Sequence, residues 1–265
     1  MEIQYLISTM DRDSISFFEN MNIKSNALII NQYGKDKYIH EISRSISNIE
    51  VINANERGLS KSRNKALENA QGEICVICDD DVTYTEEASQ IILNAYSEFP
   101  DADIIVFQLL NSQGKPYKNY SSFPQKINFL KSLKISSVEI TFKRNSIQSR
   151  NIKFNERFGS GSEFSSGEES IFLKNCLDND LKIQYVPKVI AKLNDSESSW
   201  FNGFNKEYFE NKGACYYAIS KNLYLLLIMQ FVIRKKTLYK ENLTMIKAFQ
   251  YMIKGVKLYK KEVII

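Results

Sequence analysis

The chain of 265 residues is 43% hydrophobic and 25% charged, which is typical of a globular protein and excludes a disordered, collagen-like or disulfide-rich chain. Its net charge of +4 is unevenly spread, because the segment from Arg234 onwards holds nine basic residues and two glutamates, whereas the preceding 233 residues carry a net −3. An acidic body with a basic C-terminal segment indicates an anionic surface as partner.

The N-terminal residues contain no basic segment followed by a long apolar run, so we expect no signal peptide, a cytoplasmic location and four reduced cysteines. The longest apolar run, 223–233, has eleven residues, whereas a membrane-spanning helix needs about 20. Cys75 and Cys78 form a C-x-x-C inside a strand-like apolar run, which favours buried strand residues over a redox or metal pair.

The first half of the chain alternates strand-like and helix-like segments. The strand-like runs are 3–8, 27–30, 50–53, 73–78 and 103–109, and the helix-like segments are 14–20, 35–47, 60–70 and 86–99. Ser60 is expected to cap the third helix and Gly72 to follow its end. This alternation predicts an α/β fold, a doubly wound and mostly parallel sheet with flanking helices, whose ligands bind beyond the carboxyl ends of the strands.

The pattern changes after residue 110. Residues 138–142 alternate like a half-exposed strand, a Gly/Ser-rich stretch at 159–167 precedes a helix, 182–186 is strand-like, and two helices end the chain. We therefore expect a domain at 1–205, with halves at 1–110 and 111–205, and a basic helical extension at 206–265.

Three adjacent carboxylates, Asp79, Asp80 and Asp81, follow the strand-like run 73–78 directly. Because they repel one another, a compensating charge is expected, and Mg²⁺ or Mn²⁺ commonly joins one or two carboxylates to substrate phosphates. A solvated acidic loop is the alternative interpretation. The position at a strand end favours the metal–phosphate site.

Two further motifs carry charge at helix starts. Residues 56–64 bring Arg57, Arg63 and a helix N-terminus together, which suits an anionic ligand. Glu168 and Glu169 follow Gly167 at the start of the later helix, where a carboxylate either complements the helix dipole or acts as a general base. The preceding Gly/Ser stretch would allow a substrate to approach the backbone closely.

Taken in order, these motifs resemble those of the family 2 glycosyltransferases, which have the GT-A fold. The resemblance covers about residues 1–190 and rests on four sequences: Ser8-Thr9 at the end of the first strand, RGLSKSRN at 57–64, GEICVICDDD at 72–81 and Gly-Glu-Glu at 167–169.

The resemblance implies inverting transfer of a sugar from a nucleotide-diphosphate sugar, with 1–110 as the nucleotide-binding half and 111–205 as the acceptor-binding half. Residues 79–81 stand where the family has its D-x-D signature. Asp80 would then face the ribose, and Asp81 would bind the metal on the diphosphate, with Asp79 as a second metal and nucleotide-sugar candidate.

The resemblance also assigns the remaining site residues. Arg57 and Arg63 match basic positions near the nucleotide, and Ser8 and Thr9 match the end of the first strand, where the base binds. Glu169 matches the usual base, with Glu168 as the alternative.

The sequence departs from the family pattern at two places. Asn31-Gln32-Tyr33-Gly34 replaces the usual Asp-Asp-Gly-Ser, although the Asn31 amide can still hydrogen-bond a uracil edge. The loop that often carries a metal-binding His offers Asn194 or Asp195 instead.

The segment 241–261 has apolar residues at helical spacing, with lysines largely off that line; the apolar residues are Leu243, Ile246, Phe249, Ile253 and Val256. A basic amphipathic helix of this kind either lies in an anionic membrane interface or packs on the protein with its basic side in solvent. The first alternative would hold the protein at the inner face of the cell membrane.

We therefore expect a metal-dependent enzyme that transfers a sugar from a UDP-sugar to a hydroxyl of a glycan or lipid-linked acceptor, in bacterial surface polysaccharide or capsule synthesis. A sugar-phosphate nucleotidyltransferase would need a Gly-rich loop with a downstream Lys after the first strand, which the sequence does not show. A non-catalytic sugar-nucleotide or glycan-binding module stays open, while the acidic body argues against nucleic acid as a partner.

Overall fold

The computed structural model describes residues 1–34, 38–43, 48–194 and 203–261, with the backbone alone for 38–43. Its strands form one sheet: β1 Ile3–Met10, β2 Asn26–Gln32, β3 Tyr38–Ser43, β4 Asn48–Ala54, β5 Ile74–Asp79, β6 Val82–Tyr84, β7 Ile104–Leu110, β8 Gln125–Lys126, β9 Ile140–Lys143 and β10 Ile183–Leu193. Its helices are α1 Leu59–Asn69, α2 Ala88–Glu98, α3 Phe129–Ser132, α4 Arg144–Gln148, α5 Glu168–Asp178, α6 Lys206–Ile219, α7 Tyr224–Arg234, α8 Lys236–Tyr239 and α9 Met245–Lys261.

The sheet order is β3-β4-β2-β1-β5-β9-β7-β10-β6, with β8 paired to β10. Strands β4, β2, β1, β5, β7 and β10 run in one direction, and β3, β6, β8 and β9 run against them. The predicted α/β fold with a mostly parallel sheet is confirmed. Because β4, β2, β1 and β5 are parallel neighbours, the polar residues at their carboxyl ends lie along one edge.

Side chains on successive positions of the central strands enter two different apolar layers. Ile7 of β1 packs in the layer that contains α2, and its neighbour Leu6 packs in the layer that contains α1 and α5. Cys75 and Cys78 point to opposite layers, and both are buried free thiols. The structure therefore agrees with a packing role for the C-x-x-C.

Several local predictions were wrong. The segment 35–47 was expected to be helical, but its described part contains β3, which pairs antiparallel with β4; the edge of β4 supplies backbone partners that outweigh local helix propensity. The strand expected at 138–142 begins at Ile140, and its first three residues are fully buried rather than half-exposed, because β9 lies between β5 and β7.

The start of α1 also differs from the prediction. Gly58, with a φ of 125°, precedes the helix, whereas the Ser60 hydroxyl donates a hydrogen bond to the carbonyl of Phe158 at 2.6 Å. Ser60 is therefore a packing residue that fixes the loop before α5, and not a helix cap.

The C-terminal extension contains three long helices and a short one among the described residues, whereas two helices were expected. Its apolar cluster combines α6, α7 and α9 with Phe158, Phe164 and Ile171 of the preceding segment. The described part of the chain contains no helix with the length and apolar character needed to cross a bilayer.

The side of α9 that packs on the protein includes most of the predicted apolar line: Val256 is buried, and Leu243, Phe249 and Ile253 are partly buried against the cluster. Ile246 is 71% exposed, and the buried α9 residues are Ala248, Met252, Gly255 and Val256. Gly255 faces the backbone of α6 at Glu210, and its lack of a side chain permits the close approach of the two helices.

Candidate active site

Polar residues lie at the carboxyl ends of four neighbouring parallel strands. Ser8 and Thr9 lie in the last three positions of β1, Asn31 and Asn53 are the next-to-last residues of β2 and β4, and Asp79 is the last residue of β5. Thr9 lies beside Asn31, Asn31 lies beside Asn53, and Ser8 lies beside Asp79 in the strand register. The predicted residues Ser8, Thr9, Asn31 and Asp79 are therefore brought together at one edge of the sheet.

Asn31 and Asn53 form a buried amide pair. The Asn31 side-chain nitrogen donates to the Asn53 side-chain oxygen at 2.8 Å and to the Arg12 carbonyl at 2.8 Å, while its oxygen accepts from the Arg12 amide at 3.2 Å. The Asn53 side-chain nitrogen is buried and has no hydrogen-bond partner in the described structure. A buried donor without a partner is costly, so this position suits an oxygen acceptor supplied by a ligand.

Asp80 is held by two side chains that follow or end β1. The Thr9 hydroxyl donates to its Oδ2 atom at 2.6 Å, and Arg12 donates to the same oxygen through Nη2 at 2.7 Å and Nε at 3.1 Å. Arg12 also lies over the Phe17 ring, with 5.3 Å between its guanidinium carbon and the ring centroid. The charge of Asp80 is thus balanced by a partly exposed arginine.

Arg63 forms the most buried charged contact of the site. Its side chain is 3% exposed, its Nη1 donates to Glu168 Oε1 at 2.9 Å, and its Nη2 donates to Asp79 Oδ1 at 3.0 Å and to the Ser137 hydroxyl at 2.9 Å. A buried guanidinium needs such partners, because an unpaired buried charge is strongly destabilising. Arg63 therefore ties the end of β5 to the first turn of α5.

Glu169 follows Glu168, the ion-pair partner of Arg63, in the chain. Its side chain is half-buried, and the charges around it differ from those around Glu168. Burial and, to a smaller extent, the negative charge of Glu168 raise the pKa of Glu169 to about 7, although Lys212 and Arg63 act in the opposite direction. A carboxylate with a pKa near neutrality can accept a proton and release it again, which a general base requires.

Arg57 and the start of α1 contact protein oxygen atoms. Arg57 donates to the Gln32 carbonyl at 2.9 Å and to Asp11 at 2.6 Å. The amide of Gly58 donates to the Gln32 side chain at 2.8 Å, and the amide of Leu59 donates to a loop carbonyl at 2.9 Å. The expected anion site at this helix start is therefore partly filled by the protein itself.

Two glycines of the stretch 159–167, Gly159 and Gly167, lie close to other parts of the protein. A Cβ on Gly159 would lie 3.3 Å from the Ser60 hydroxyl and 3.5 Å from the Glu168 carboxyl carbon. Gly167 has a φ of 105°, and a Cβ there would lie 2.4 Å from the Cys215 sulfur of α6. The glycines thus let the loop, α1, α5 and α6 converge around Glu168.

The residues present fit a divalent cation only together with ligand phosphates. In the described ranges no group of three His, Cys, Asp or Glu side chains is placed to hold a metal. Asp79 and Asp80 are already bonded to arginines, whereas the Asp81 carbonyl accepts from the Asn194 amide at 3.1 Å. Asp195, the other expected ligand of that loop, lies outside the described residues.

A cavity of about 220 Å³ lies between β7, β10 and the segment 118–139. Its lining includes Lys118, Glu139 and the rings of Tyr120 and Tyr185, which stack with centroids 6.4 Å apart. Glu139 belongs to the same short 3-10 turn as Ser137, the partner of Arg63. This 3-10 turn therefore connects the cavity, through Glu139, to the buried ion pair of Arg63, through Ser137.

Sequence reasoning missed Arg12, Asn53, Ser137 and Lys212. Asn53 could have been found, because it ends a predicted strand in the same way as Asn31. Arg12, Ser137 and Lys212 come to the site through tertiary contacts, and none of them belongs to a local sequence pattern that would indicate this.

Comparison with known proteins identifies the family and the fold. The sequence pattern of the family described as Glycosyl transferase family 2 matches residues 27–166, just over half of the chain. No curated protein matches the sequence closely enough to compare.

Solved structures of S. aureus TarS, residues 1–349, share the fold at 14% sequence identity. The complex with UDP-GlcNAc has a TM-score of 0.67 and covers 97% of this chain and 82% of that chain. The complex with UDP has a TM-score of 0.64, with 97% and 81% covered. With its family pattern, its mixed, mostly parallel sheet and its polar strand ends, this chain belongs to glycosyltransferase family 2.

Proposed function

We propose that this protein transfers a sugar from a UDP-sugar to a hydroxyl of a glycan or lipid-linked acceptor, with inversion at the anomeric carbon and with help from a divalent cation. One observation carries the proposal: buried Arg63 joins Asp79, at the end of β5, to Glu168, beside half-buried Glu169. This contact supports the proposal, because it joins the segment of the candidate base to a strand edge that would suit a nucleotide diphosphate. TarS, which shares the fold, has been solved with UDP-GlcNAc.

The nucleotide is proposed to lie along the ends of β1, β2 and β4. The side-chain nitrogen of Asn53, which has no partner, would donate to a carbonyl of the base. Asp80 would accept hydrogen bonds from the ribose hydroxyls, and these would replace its present contact with Thr9 or Arg12. Arg12 is the partly exposed cation closest to these groups and suits the diphosphate.

Asp81, with Asp79 as a second candidate, would hold the divalent cation, which neutralises charge on the diphosphate when bound. Glu169 takes the proton from the acceptor hydroxyl while that oxygen bonds to the anomeric carbon. The bond from the anomeric carbon to the diphosphate breaks, and the electron pair leaves with the diphosphate. Glu168 and Arg63 keep Glu169 in position and balance the local charge.

The acceptor is proposed to enter from the cavity lined by Tyr120 and Tyr185, since aromatic rings and polar side chains are common in pockets for small molecules. The pathway, surface polysaccharide or capsule synthesis, stays a prediction from the resemblance.

Thermal unfolding with UDP-, GDP- and TDP-sugars, each with and without Mn²⁺, tests the proposal. We expect the UDP-sugar with Mn²⁺ to raise the unfolding temperature most, because a ligand that binds only the folded state stabilises it. Asp81→Asn should remove the Mn²⁺ contribution to this shift.

Turnover separates an enzyme from a binding module. Glu169→Gln should keep the UDP-sugar shift and lose sugar transfer by about 10²–10⁴-fold, the usual contribution of a general base. Glu98→Gln, an exposed change on α2, is the matched control and should keep both. Donor binding by the wild type without turnover on any acceptor would instead favour a non-catalytic module.

A further inference from the structure

Helix α7 is apolar on both of its sides. One side is buried in the apolar cluster of the extension and consists of Leu227, Ile228, Phe231 and Val232. The opposite side is exposed and carries Leu225 (47%), Leu226 (67%), Met229 (47%) and Ile233 (55%), with Gln230 among them as a polar residue. A surface helix of a globular protein normally shows polar residues outwards, so this outer side is suited to a partner.

The exposed apolar side chains are concentrated in this part of the molecule. Thirteen large apolar side chains are exposed in the described chain, and six of them lie between Leu223 and Leu238. Scattered single apolar residues are normal on protein surfaces, whereas a contiguous group marks an interaction site.

The same segment is strongly basic. Residues 221–240 contain five basic residues and no acidic one, and all five are exposed: Lys221, Arg234, Lys235, Lys236 and Lys240. Lys254 of α9, by contrast, pairs with Glu210 at 2.9 Å, so its charge is balanced within the protein.

These observations identify the partner by its charge. A second copy of the chain in a symmetric dimer would bring two identical clusters of five cations together, which is unfavourable. An anionic lipid surface offers phosphates for the cations and an apolar boundary for the leucines. A helix of eleven residues is too short to span a bilayer, which needs about 20, but it can lie in the interface.

We propose that α7 and α8 form a docking face for an anionic lipid bilayer. The outer leucines and Met229 enter the boundary between headgroups and acyl chains, and the five basic residues contact lipid phosphates. The predicted membrane helix, α9, supports α7 from behind and is not the docking element.

The docking face is connected to the candidate active site through α6. Lys212 of α6 acts on Glu169, and its ammonium lies 5.6 Å from the centroid of the Tyr216 ring, which lies 6.0 Å from that of Phe231 in α7. Docking would hold the site close to a membrane-borne acceptor. That last consequence rests on the proposed function, whereas lipid binding does not.

Sedimentation of the full-length protein with vesicles tests the docking face. Vesicles of phosphatidylcholine alone are compared with vesicles that also contain phosphatidylglycerol, and the wild type should bind the anionic ones preferentially. The double change Leu226→Glu and Met229→Glu should lower the partition coefficient at least about tenfold. Changing Arg234, Lys235 and Lys236 to Gln should lower it about 100-fold on anionic vesicles, since each surface charge contributes about fivefold.

Ile246→Glu is the control for an added glutamate outside the docking face, because it replaces an apolar residue of α9 that is 71% exposed. It should leave vesicle binding within about twofold. All variants should keep the wild-type circular dichroism and unfolding temperature, since every changed side chain is exposed.

Three results would overturn the docking face: no preference of the wild type for anionic vesicles, an equal loss in Ile246→Glu, or a wild-type dimer that the Leu226/Met229 change dissociates. Because the assay contains no sugar donor or acceptor, its failure is distinguishable from a failure of the proposed glycosyl transfer.

Discussion

Arg63 gives Glu168 and Glu169 different tasks although the two glutamates are adjacent. Glu168 is fixed by a buried ion pair with Arg63 at 2.9 Å, and this contact holds its carboxylate in place. Glu169 lacks such a direct contact with Arg63 and is raised in pKa by burial and by Glu168. The arrangement therefore leaves Glu169 to exchange protons while Glu168 maintains the local geometry.

The raised pKa of Glu169 predicts a pH dependence of turnover. Only the deprotonated carboxylate can accept a proton from the acceptor, and its pKa is about 7. With chemistry as the slow step, kcat should fall about tenfold per pH unit below 7 and level off above it. Measuring kcat at saturating donor between pH 5.5 and 8.5 checks this, and a flat profile over that range would contradict it.

Glu169 should affect stability in the opposite direction. Its pKa in the folded protein, about 7, lies above its usual value of 4.5, so the folded state binds the proton more tightly than the unfolded state does. The stabilising contribution is full below about pH 4.5 and is lost as the pH rises through 7. Glu169→Gln should therefore show a smaller decrease in urea midpoint between pH 5 and 8 than the wild type, and parallel curves would argue against the raised pKa.

The sequence predicts those site residues that belong to a local pattern, and it does not predict the others. The carboxylates at 79–81 are recognisable because they follow a strand-like run, and those at 168–169 because they lie at the start of a helix. Lys212 lies 43 residues beyond Glu169 in an ordinary helical pattern, and only the packing of α6 on α5 brings the two together. Arg12 follows β1 in an exposed turn. Basic residues are common in such turns, so its presence there does not indicate a site residue.

Among the elements, α6 and α9 show how small residues set a helix crossing. A Cβ on Gly213 would lie 1.9 Å from the carbonyl oxygen of Met252, and a Cβ on Gly255 would lie 1.8 Å from that of Glu210. The two backbones therefore meet directly, with no room for a methyl group. This contact explains why Gly255, which an amphipathic pattern does not single out, is buried on the packed side of α9.

Gly255→Ala should destabilise the protein, although the same change inside an isolated helix stabilises it by about 0.5–1 kcal/mol. The added methyl group must displace the α6 backbone, and overpacking of this kind costs about 1–3 kcal/mol. Urea unfolding monitored by circular dichroism measures the difference. Gly34→Ala is the control, because a Cβ there has nothing within 4 Å, and it should leave the midpoint nearly unchanged.

The elements that the sequence predicted well are the buried parallel strands, since each is a continuous apolar run bounded by polar residues. The predictions that were wrong concern segments whose conformation or burial depends on a neighbouring strand. β3 forms because β4 offers an open edge, and β9 is buried because it lies between β5 and β7. Neither neighbour is visible in a local window of sequence.

At the scale of the whole molecule, the extension that begins with α6 at Lys206 completes the candidate active site. Phe158, Phe164 and Ile171 are at most 3% exposed, and they pack in one apolar cluster with α6, α7 and α9. Cys215 of α6 fills the space above Gly167, the residue before the two glutamates. The predicted boundary at 205 therefore separates two parts of the chain that share a core.

Removal of residues 206–265 should unfold or severely loosen the segment around Glu168 and Glu169. Burial of a large apolar side chain contributes about 1.5–3 kcal/mol, so exposing Phe158, Phe164 and Ile171 removes several kcal/mol from a protein whose total stability is about 5–15 kcal/mol. We expect the shortened chain to bind a hydrophobic dye, to unfold at lower temperature than the full chain and to show no donor-induced shift. A shortened chain with the unfolding temperature and donor response of the full protein would mean that the 1–205 segment is an autonomous domain, and that the shared cluster contributes little to it.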